Sequence, residues 1–482
     1  MRSSYWGRDL FVVAALFAGS FGTAKVACAQ VLPGGEGSGV FDIRAYGAVA
    51  DGHTDSTAAI QRAIDAAHVK GGIVFVPPGE WLCRGHLEVK PGVHLKGANE
   101  APQSWEPRTG SILEPTEGRG IEEAPAFLQM RSSTSVTGLT IYYPEQIVSD
   151  IQPYPWTIQI SGAPIGGAVS GAKSISFDGT VSDVTLINSY NGIRMGPTEN
   201  GRHHILNVFG CVLRRGIYVD WTGDIGRIEN VQFHSHFWAN KVFGGDWKTV
   251  FNYMQQNLEA FVFGRTDWEY VTNTFVFPAK TGYRFIETEN GSMNGQLSGI
   301  GADATQVAVL VEGIQPEGLQ ITNGEFDSHR VGKSTQVIVE ERASGSVRFV
   351  NSAFWGPTEH NAVLKGDAYV SFTDCYFSND YDAPDAAILV EGGRVQVQSS
   401  TFDARSHKMD PGHSYTGAEG RYQQPSIRLA PGTRSAIIRG NNGYYGVKIV
   451  NEIGSRAILS DNEPYSGPGA GYPDTEKGQP KP

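Results

Sequence analysis

The stretch ITNGEF, residues 321–326, and the stretch FVNSAF, residues 349–354, share one pattern, in which a small polar residue stands three positions before a phenylalanine. The pattern returns in FTDCYF (372–377) and VQSSTF (397–402), and it also reads from Asn441 to Tyr444, from Asn462 to Tyr465 and, upstream, from Asn230 to Phe233. Successive starts from Asn323 onward are 28, 23, 25, 42 and 21 residues apart, and we interpret the step of 42 as two coils of which one has lost the pattern. Repeats of this length indicate a solenoid, in which each unit buries its apolar face only against its neighbours.

The segments between these patterns favour strands over helices. Short alternating or β-branched runs, such as residues 307–311 and 347–350, are separated by glycines and by Asn, Asp or Ser turns. They contain neither a leucine framework nor ten-residue amphipathic segments. In a parallel β-helix, turn residues and aromatic residues of successive coils align in ladders about 4.8 Å apart. The sequence therefore predicts an all-β parallel β-helix, and an all-β sandwich with similar turns is the alternative.

Residues 41–97 have the features of a module that opens such a solenoid. A first strand runs into a glycine-rich turn, and Thr54 or Asp55 then caps a helix. The apolar face of that helix consists of Ile60, Ala63, Ile64 and Ala67. A single amphipathic helix ahead of a strand stack would cover the open end of the core and its sheet edge.

The motifs of this module resemble the pectate lyase superfamily of the rhamnogalacturonase and epimerase type, which is related to glycoside hydrolase family 28. They are Tyr46-Gly47-Ala48, Asp51-Gly52-His53-Thr54-Asp55, the run from Ala59 to Ile64, and Pro77-Pro78-Gly79-Glu80-Trp81. The resemblance implies a single-stranded right-handed parallel β-helix, a pectin lyase-like solenoid, with an N-terminal capping helix. It implies no single reaction, because the superfamily includes hydrolases, lyases, epimerases and phage tail proteins.

The chain divides into three predicted regions. Residues 1–29 read as a signal peptide, with Arg2 and Arg8 ahead of an apolar stretch and Ala27-Cys28-Ala29 at its end, so a secreted or periplasmic location is predicted. The β-helix domain is predicted over residues 38–465, with the opening module at 41–97. Residues 239–290 interrupt the period and are predicted to be an insertion near the groove, with a helix near Lys248–Glu259. Residues 466–482 are predicted to be a disordered tail.

Charge and composition limit which binding partners are possible. The chain has 482 residues and a formal net charge of −11, so nucleic acid is excluded as a partner, and no later segment is apolar enough to span a membrane. A polysaccharide or oligosaccharide is the expected substrate. No cofactor or metal is predicted, although a lyase would admit calcium. The sequence leaves open whether the protein is a monomer or a homotrimer.

Two polar and aromatic clusters are candidate sites. The first holds Asp220 and Asp224 as acid and base candidates, with Trp221, Arg227, His234 and His236 as substrate-binding candidates. The second holds Asp267 and Glu269 as acid and base candidates, with Arg265 and Trp268 as substrate-binding candidates. Two carboxyl groups flanking a scissile bond are what glycoside hydrolysis requires, and indole rings offer stacking surfaces for sugars. The alternative is that these are solvated turn acids and exposed strand charges.

Three functions remain open at this point. The motifs of polygalacturonases, of pectate lyases and of mannuronan epimerases beyond the opening module do not occur in this chain. The first hypothesis is a secreted glycoside hydrolase that uses a carboxylate pair. The second is a polysaccharide lyase acting on a uronate polymer by β-elimination, with Arg227, Arg265 and His234 in the site. The third is a non-catalytic glycan binder that resembles a tail spike.

Overall fold

The structure is a computed structural model, and it describes residues 38–101, 108–162, 175–328, 331, 334–379, 385–403, 405–409, 415–421 and 424–467. All of these lie within one compact unit, Gly34–Pro482. The predicted signal peptide, residues 1–29, lies outside the described residues, as do residues 468–482 of the predicted tail.

The helical elements of the described residues are short. They are α1 (Thr57–His68), α2 (Trp247–Asn257) and the 3-10 turns Ile43–Tyr46, Ser235–Phe237, Lys241–Phe243 and Gly454–Arg456. No helix in the described part of the chain is long and apolar enough to cross a membrane.

Strands account for most of the remaining ordered chain. Up to residue 219 they are Val40–Asp42, Gly72–Phe75, Gly79–Cys83, Leu87–Val89, Val93–Lys96, Ser111–Pro115, Leu128–Met130, Thr134–Thr137, Thr140–Ile141, Trp156–Ile160, Ser176–Phe177, Gly179–Met195, Asn200–Gly201 and His204–Val219. From residue 227 to 339 they are Arg227–His234, Glu259–Phe263, Thr266–Phe277, Ala279–Phe285, Met293–Ser298, Gly301–Ala302, Thr305–Val311, Ile314–Thr322, Glu325–Asp327 and Thr335–Val339. Beyond residue 345 they are Ser346–Val350, Ala353–Trp355, His360–Leu364, Tyr369–Thr373, Tyr376–Ser378, Ile388–Val390, Arg394–Gln398, Thr401–Asp403, Arg405–Met409, Tyr415–Arg421, Ile427–Leu429, Ser435–Arg439, Asn442–Gly443, Ile449–Asn451 and Ala457–Ser460.

Strands of successive coils pair in parallel and form three faces, which we name sheets A, B and C. Inward residues of sheet A pair in the order Leu297, Ile321, Phe349, Phe372 and Val397. Those of sheet B pair in the order Ile193, Ile217, Phe261, Tyr283 and Val309. Those of sheet C pair in the order Ala302, Phe326, Phe354, Phe377 and Phe402. The predicted all-β parallel β-helix with an N-terminal helix is therefore confirmed.

The recurring polar residue marks the turn from sheet A to sheet C. Asn230, Asn323, Asn351, Asp374 and Ser399 all have left-handed backbones, with φ between 49° and 54°. Asn and Asp tolerate this conformation better than other non-glycine residues, which explains the pattern. The Asn351 side-chain amide donates to Oδ1 of Asn323 at 2.8 Å, so the turn residues also bond from coil to coil.

The recurring aromatic residue fills the core. Phe326, Phe354, Phe377 and Phe402 stack with ring centroids 5.2, 5.1 and 4.9 Å apart, and all four are buried. Burying each phenylalanine contributes about 1.5–3 kcal/mol to the free energy of unfolding. The one-dimensional repeat is thus a stack of aromatic rings beside a stack of polar turns.

Two details of the predicted repeat are wrong. The left-handed residues of the last coils are Gly440 and Asp461, one position before the predicted Asn441 and Asn462. The step of 42 contains no second coil, because Phe402 pairs directly with Gly443. The antiparallel hairpin of Arg405–Met409 and Tyr415–Arg421 lengthens that single coil instead.

Helix α1 lies at the start of the stack. Its buried residues include Ile60, Ala63, Ile64 and Ala67, which are the four residues of the predicted apolar face. The Asp55 carboxylate accepts a hydrogen bond from the backbone N–H of Thr57 at 3.0 Å at the start of this helix.

The second helix lies outside the sheets. Helix α2 belongs to the connection that leads from sheet C to sheet B, where an insertion was predicted over 239–290. From Glu259 onward the chain returns to paired strands, since Glu259–Phe263 and Ala279–Phe285 belong to sheet B. The part of this region that departs from the regular coil is therefore the connection between residues 235 and 258.

Candidate functional site

The loops that lead from sheet B to sheet A bring most of the predicted site residues together. Asp220, Trp221 and Asp224 lie in one such loop, and Arg265 lies in the corresponding loop of the next coil. Asp267, Trp268 and Glu269 follow directly, at the start of the sheet A strand Thr266–Phe277. The two loops are joined by a parallel bridge between Thr222 and Thr266. His234 and His236 lie elsewhere, where sheet C ends.

Asp220 is buried, and both of its carboxylate oxygens accept hydrogen bonds. Oδ1 accepts from the backbone N–H groups of Trp221 and Arg265, both at 2.9 Å, and from the Thr288 hydroxyl at 2.9 Å. Oδ2 accepts from the Asn290 side-chain amide at 3.0 Å. The carboxylate therefore ties three successive loops together, and little of it is left to face a substrate.

Glu269 is completely buried. One of its oxygens lies 2.8 Å from Nε2 of His203, and the other accepts from the Thr266 hydroxyl at 2.8 Å. The backbone of Gly226 packs directly against this His203–Glu269 pair. A Cβ atom at position 226 would lie 2.3 Å from the His203 ring and 2.4 Å from Glu269 Oε2, so there is no room for a side chain. A carboxyl group in this position cannot touch a polymer, so Glu269 is a structural residue in place of the predicted acid or base.

Asp224 lies on the surface in a short ladder of charges. Arg202 donates to Asp178 at 2.8 and 2.9 Å and to Asp224 at 3.2 Å. A hydrogen bond from the Ile225 backbone N–H and the Arg202 guanidinium both lower the pKa of Asp224. This carboxyl is therefore ionised at neutral pH and cannot serve as a general acid.

Asp267 belongs to a network that holds Trp268. The network consists of an ion pair from Arg265 to Asp267, a bond from the Gln315 amide to Asp267 Oδ1 at 2.8 Å, and a bond from the Asn294 amide to Gln315 Oε1 at 2.7 Å. Asn294 Oδ1 in turn accepts from the Trp268 backbone N–H at 2.9 Å. Burial acts to raise the pKa of Asp267, but the bonds from Arg265 and Gln315 outweigh it and the pKa is lowered.

The predicted aromatic and cationic binders at this edge are accessible. Trp268 exposes 62% of its surface and Trp221 exposes 40%, and both have left-handed backbones, with φ of 55° and 56°. Such backbones in bulky residues are strained and are common at functional sites. Arg227 is also exposed, and its guanidinium lies 6.0 Å from the centre of the Tyr270 ring.

The two histidines pack as aromatic rings. His234 and His236 stack with centroids 4.3 Å apart, and Trp247 of α2 stacks on His236 at the same distance. Burial lowers the pKa of His234 to about 4, and it also lowers the pKa of His236. Both rings are neutral at physiological pH, and they lie away from the loops that hold Asp220 and Asp267.

The outer face of sheet B carries a charged and aromatic surface that the sequence analysis missed. Arg194 and Tyr218 are paired neighbours on it, and the Arg194 guanidinium lies 6.0 Å from the Trp156 ring centre and 5.7 Å from that of Tyr218. Nε of Arg194 is buried and has no hydrogen-bond partner among the described residues. Burial lowers the pKa of Arg194 and raises that of Tyr218. We name Trp156, Arg194 and Tyr218 the arginine surface.

Further charged residues surround the arginine surface. Arg215 donates to Glu122 at 3.0 Å, and Arg284 pairs with Glu259 at 2.9 Å and with Glu312 at 2.7 Å. Beyond Arg284 the face opens into a cleft of about 720 Å³ lined by Glu287, Glu312, Glu340 and Arg342, among others.

A signal for this surface is present in the sequence. Ile193-Arg194-Met195, Ile217-Tyr218-Val219 and Tyr283-Arg284-Phe285 each place one polar residue between two buried ones. The register between coils is needed to see that these triplets stand side by side.

Metal ligands do not cluster in the described residues. No group of three or more His, Cys, Asp or Glu side chains converges within the ranges that the structure describes. The prediction of no cofactor, with calcium admitted for a lyase, stays a prediction.

In sequence, the opening module matches known proteins. Residues 40–116 match the family model "Rhamnogalacturonase A/epimerase, pectate lyase-like". Mannuronan C5-epimerase AlgE1 of Azotobacter vinelandii is 44% identical over 66 residues, which are 12% of this chain and 5% of the epimerase. Alginate lyase 7 of the same organism is 43% identical over 60 residues, 12% of this chain and 7% of the lyase. The chain thus matches less than a tenth of the length of these relatives.

A solved structure matches over most of the chain. The A-module of mannuronan C-5 epimerase AlgE6 from Azotobacter vinelandii aligns with 87% of this chain and 98% of its own length, with a TM-score of 0.51 and 14% identity. At this identity the match concerns the fold. Together, the module and the fold confirm the resemblance to the pectate lyase-like superfamily.

Proposed function

We propose that this chain, a parallel β-helix protein of the pectate lyase-like superfamily, is a secreted enzyme that acts on a uronate-containing polysaccharide at the outer face of sheet B. The reaction we assign to it is β-elimination. The observation that carries the proposal is Arg194, a partly buried cation beside the rings of Trp156 and Tyr218, whose Nε has no hydrogen-bond partner among the described residues.

The chemistry of elimination fits the residues on this face. Removing the proton next to a uronate carboxylate becomes easier when a cation offsets the charge of that carboxylate, which is the role we give to Arg194. Burial raises the pKa of Tyr218, so its phenol stays protonated at neutral pH and can donate a proton to the leaving oxygen. The exposed carboxylate of Glu123, which interacts electrostatically with Arg194, is the candidate base. The C–H bond and the glycosidic C–O bond break, and a carbon–carbon double bond forms in the uronate.

The comparisons support the same class of substrate. Two proteins that share the opening module are a mannuronan epimerase and an alginate lyase, and both names refer to uronate polymers. Because this chain matches only a small part of either protein, we assign their class of substrate to this chain only as a proposal.

Hydrolysis is the second candidate, because Glu122 and Glu123 place two carboxyl groups beside the arginine surface. Glu122 accepts hydrogen bonds from Arg215 at 3.0 Å and from the Asn191 amide at 3.2 Å, which orient it as the base or nucleophile. The four carboxyl groups predicted first are less suitable. Asp220 and Glu269 are buried in internal bonds, and the pKa values of Asp224 and Asp267 are lowered.

The products distinguish the candidates. The protein would be incubated with alginate, with polygalacturonate and with a neutral glucan, and both the ultraviolet absorbance of unsaturated uronate and new reducing ends would be followed. Elimination yields both signals on a uronate polymer, whereas hydrolysis yields reducing ends alone. An unchanged polymer in every case would contradict the proposal and favour a glycan binder.

Substitution of Arg194 tests the location of the site. Arg194→Met keeps most of the side-chain volume and removes the charge, so we expect kcat to fall by about 10²-fold or more. Arg194→Lys should retain part of the activity. Arg439→Met, which removes an exposed arginine from sheet A, is the matched control and should leave kcat unchanged. Circular dichroism would establish that Arg194→Met and Arg439→Met are folded. A folded Arg194→Met variant with the kcat of the wild type would refute the assignment.

A further inference from the structure

The outer face of sheet A has a second aromatic feature, separate from the arginine surface. At the start of successive sheet A strands, Glu269, Gly295, Leu319, Val347 and Val370 pair in this order. The residues directly before them are Trp268, Asn294, Gly318, Ser346 and Tyr369. Trp268 exposes 62% of its surface and Tyr369 exposes 57%. Two exposed aromatic rings are therefore separated by three small residues in one row, which we name the sheet A trough.

The dimensions of the sheet A trough suit a chain of sugars. Trp268 and Tyr369 are four coils apart, which corresponds to about 19 Å at the usual spacing of paired strands. Beside Trp268 the row opens into a cleft of about 520 Å³, whose lining includes Gln296, Gln320 and Arg348. Those three residues form the adjacent outward row of the same strands.

The floor of the trough is bare backbone at Gly318. Gly318 has φ of +68°, and a Cβ atom there would lie 1.7 Å from the carbonyl oxygen of Ser346. Glycine at this position lets neighbouring coils approach closely and leaves room above it for a flat ligand.

Both aromatic ends are held in place. Trp268 is fixed through its backbone by Asn294, which Gln315 and Asp267 hold in turn. At the other end the Arg394 guanidinium lies 4.8 Å from the Tyr369 ring centre and donates to Asp367 at 3.2 Å. An aromatic residue whose backbone or ring is already held loses less conformational entropy when a ligand stacks on it.

We propose that the sheet A trough is a non-catalytic binding site for an extended oligosaccharide, with pyranose rings stacked on Trp268 and Tyr369 and hydroxyl groups bonded by Gln296 and Gln320. Its charged lining residues, Glu317 and Arg348, offset each other, so recognition depends on ring faces and hydroxyl groups rather than on carboxylates. The proposal rests on the proposed function only for the class of ligand, a polysaccharide.

The test measures binding without turnover. Arg194→Met serves as the background, and isothermal titration calorimetry follows cellohexaose and hexagalacturonate at low and at high salt. We expect at least one hexasaccharide to bind with little dependence on salt. Adding Trp268→Ala or Tyr369→Ala should weaken that binding about tenfold each, which corresponds to about 1.4 kcal/mol. The corresponding trisaccharide, too short to reach both rings, should bind more weakly than the hexasaccharide.

Tyr444→Ala removes an equally exposed aromatic residue from another part of the chain, with 55% exposure, and should leave binding unchanged. Wild-type affinity in both trough variants, or no binding of either hexasaccharide, would overturn the inference. Each of the two proposals can be refuted without refuting the other. Loss of binding in the Trp268 variant supports the trough even if no polymer is cleaved, and product formation supports the proposed function even if Trp268→Ala binds normally.

Discussion

At the scale of single residues, the surroundings of each carboxyl group decide what it can do. Asp220 and Asp224 stand four positions apart in one loop, yet the first is buried under four hydrogen bonds and the second is partly exposed beside Arg202. Sequence shows the spacing of such acids but not which of them points into the loop stack. The residue types therefore drew attention to this loop but could not show which of its acids is buried.

The first prediction compares these two acids. Asp220→Asn turns one acceptor into a donor that faces donors already present, so we expect the free energy of unfolding to fall by about 2–4 kcal/mol. Asp224→Asn is the matched control and should change stability little, because surface ion pairs contribute little. Denaturant unfolding of both variants measures the difference. Equal stability of the two would contradict the structural role of Asp220.

The second prediction concerns Glu114, which is buried beside Glu80 and Arg108. Burial and the Glu80 carboxylate raise the pKa of Glu114 to about 7. The folded state holds the Glu114 proton more tightly than the unfolded chain does. The contribution of this proton to the free energy of unfolding is therefore complete below the ordinary carboxyl pKa. It is lost as the pH rises through about 7.

Wild type should therefore lose more stability than Glu114→Gln between pH 5 and pH 8. Thermal unfolding of both proteins at the two pH values measures this difference. The same pH dependence in both would show that Glu114 does not titrate in this range.

At the scale of elements, the turn from sheet A to sheet C shows how the sequence encodes the coil. Asn323, Asn351 and Asp374 recur because the turn needs a left-handed residue, and the phenylalanine three positions later recurs because sheet C faces the core. These requirements repeat in every coil, so they are visible in one dimension. A connection such as the one that carries α2 occurs once, so only its interruption of the period could be predicted.

The third prediction separates the two roles of Asn351. Asn351→Gly keeps the left-handed backbone accessible and loses only the side-chain bond to Asn323. Asn351→Ala loses the bond and adds backbone strain, so it should be less stable than the glycine variant by about 1 kcal/mol. Thermal unfolding of the two variants provides the comparison. An alanine variant as stable as the glycine variant would mean that φ at this turn relaxes at no cost.

At the scale of the whole molecule, stacking coils turns distant sequence positions into continuous surfaces. Trp156, Arg194 and Tyr218 come from three separate coils, and so do Trp268, Ser346 and Tyr369. None of these sets could be assembled from the sequence, because insertions such as the hairpin at 405–421 shift the register by unpredictable amounts. The fold was predictable from its repeats, whereas the candidate sites depend on register.

The central claim is that a uronate polymer binds on the outer face of sheet B, and a crystal structure of Arg194→Lys soaked with an oligouronate tests it most directly. The account predicts a sugar ring over Tyr218, with a uronate carboxylate facing residue 194. An oligouronate bound away from sheet B, with the arginine surface left empty at saturating concentration, would contradict it.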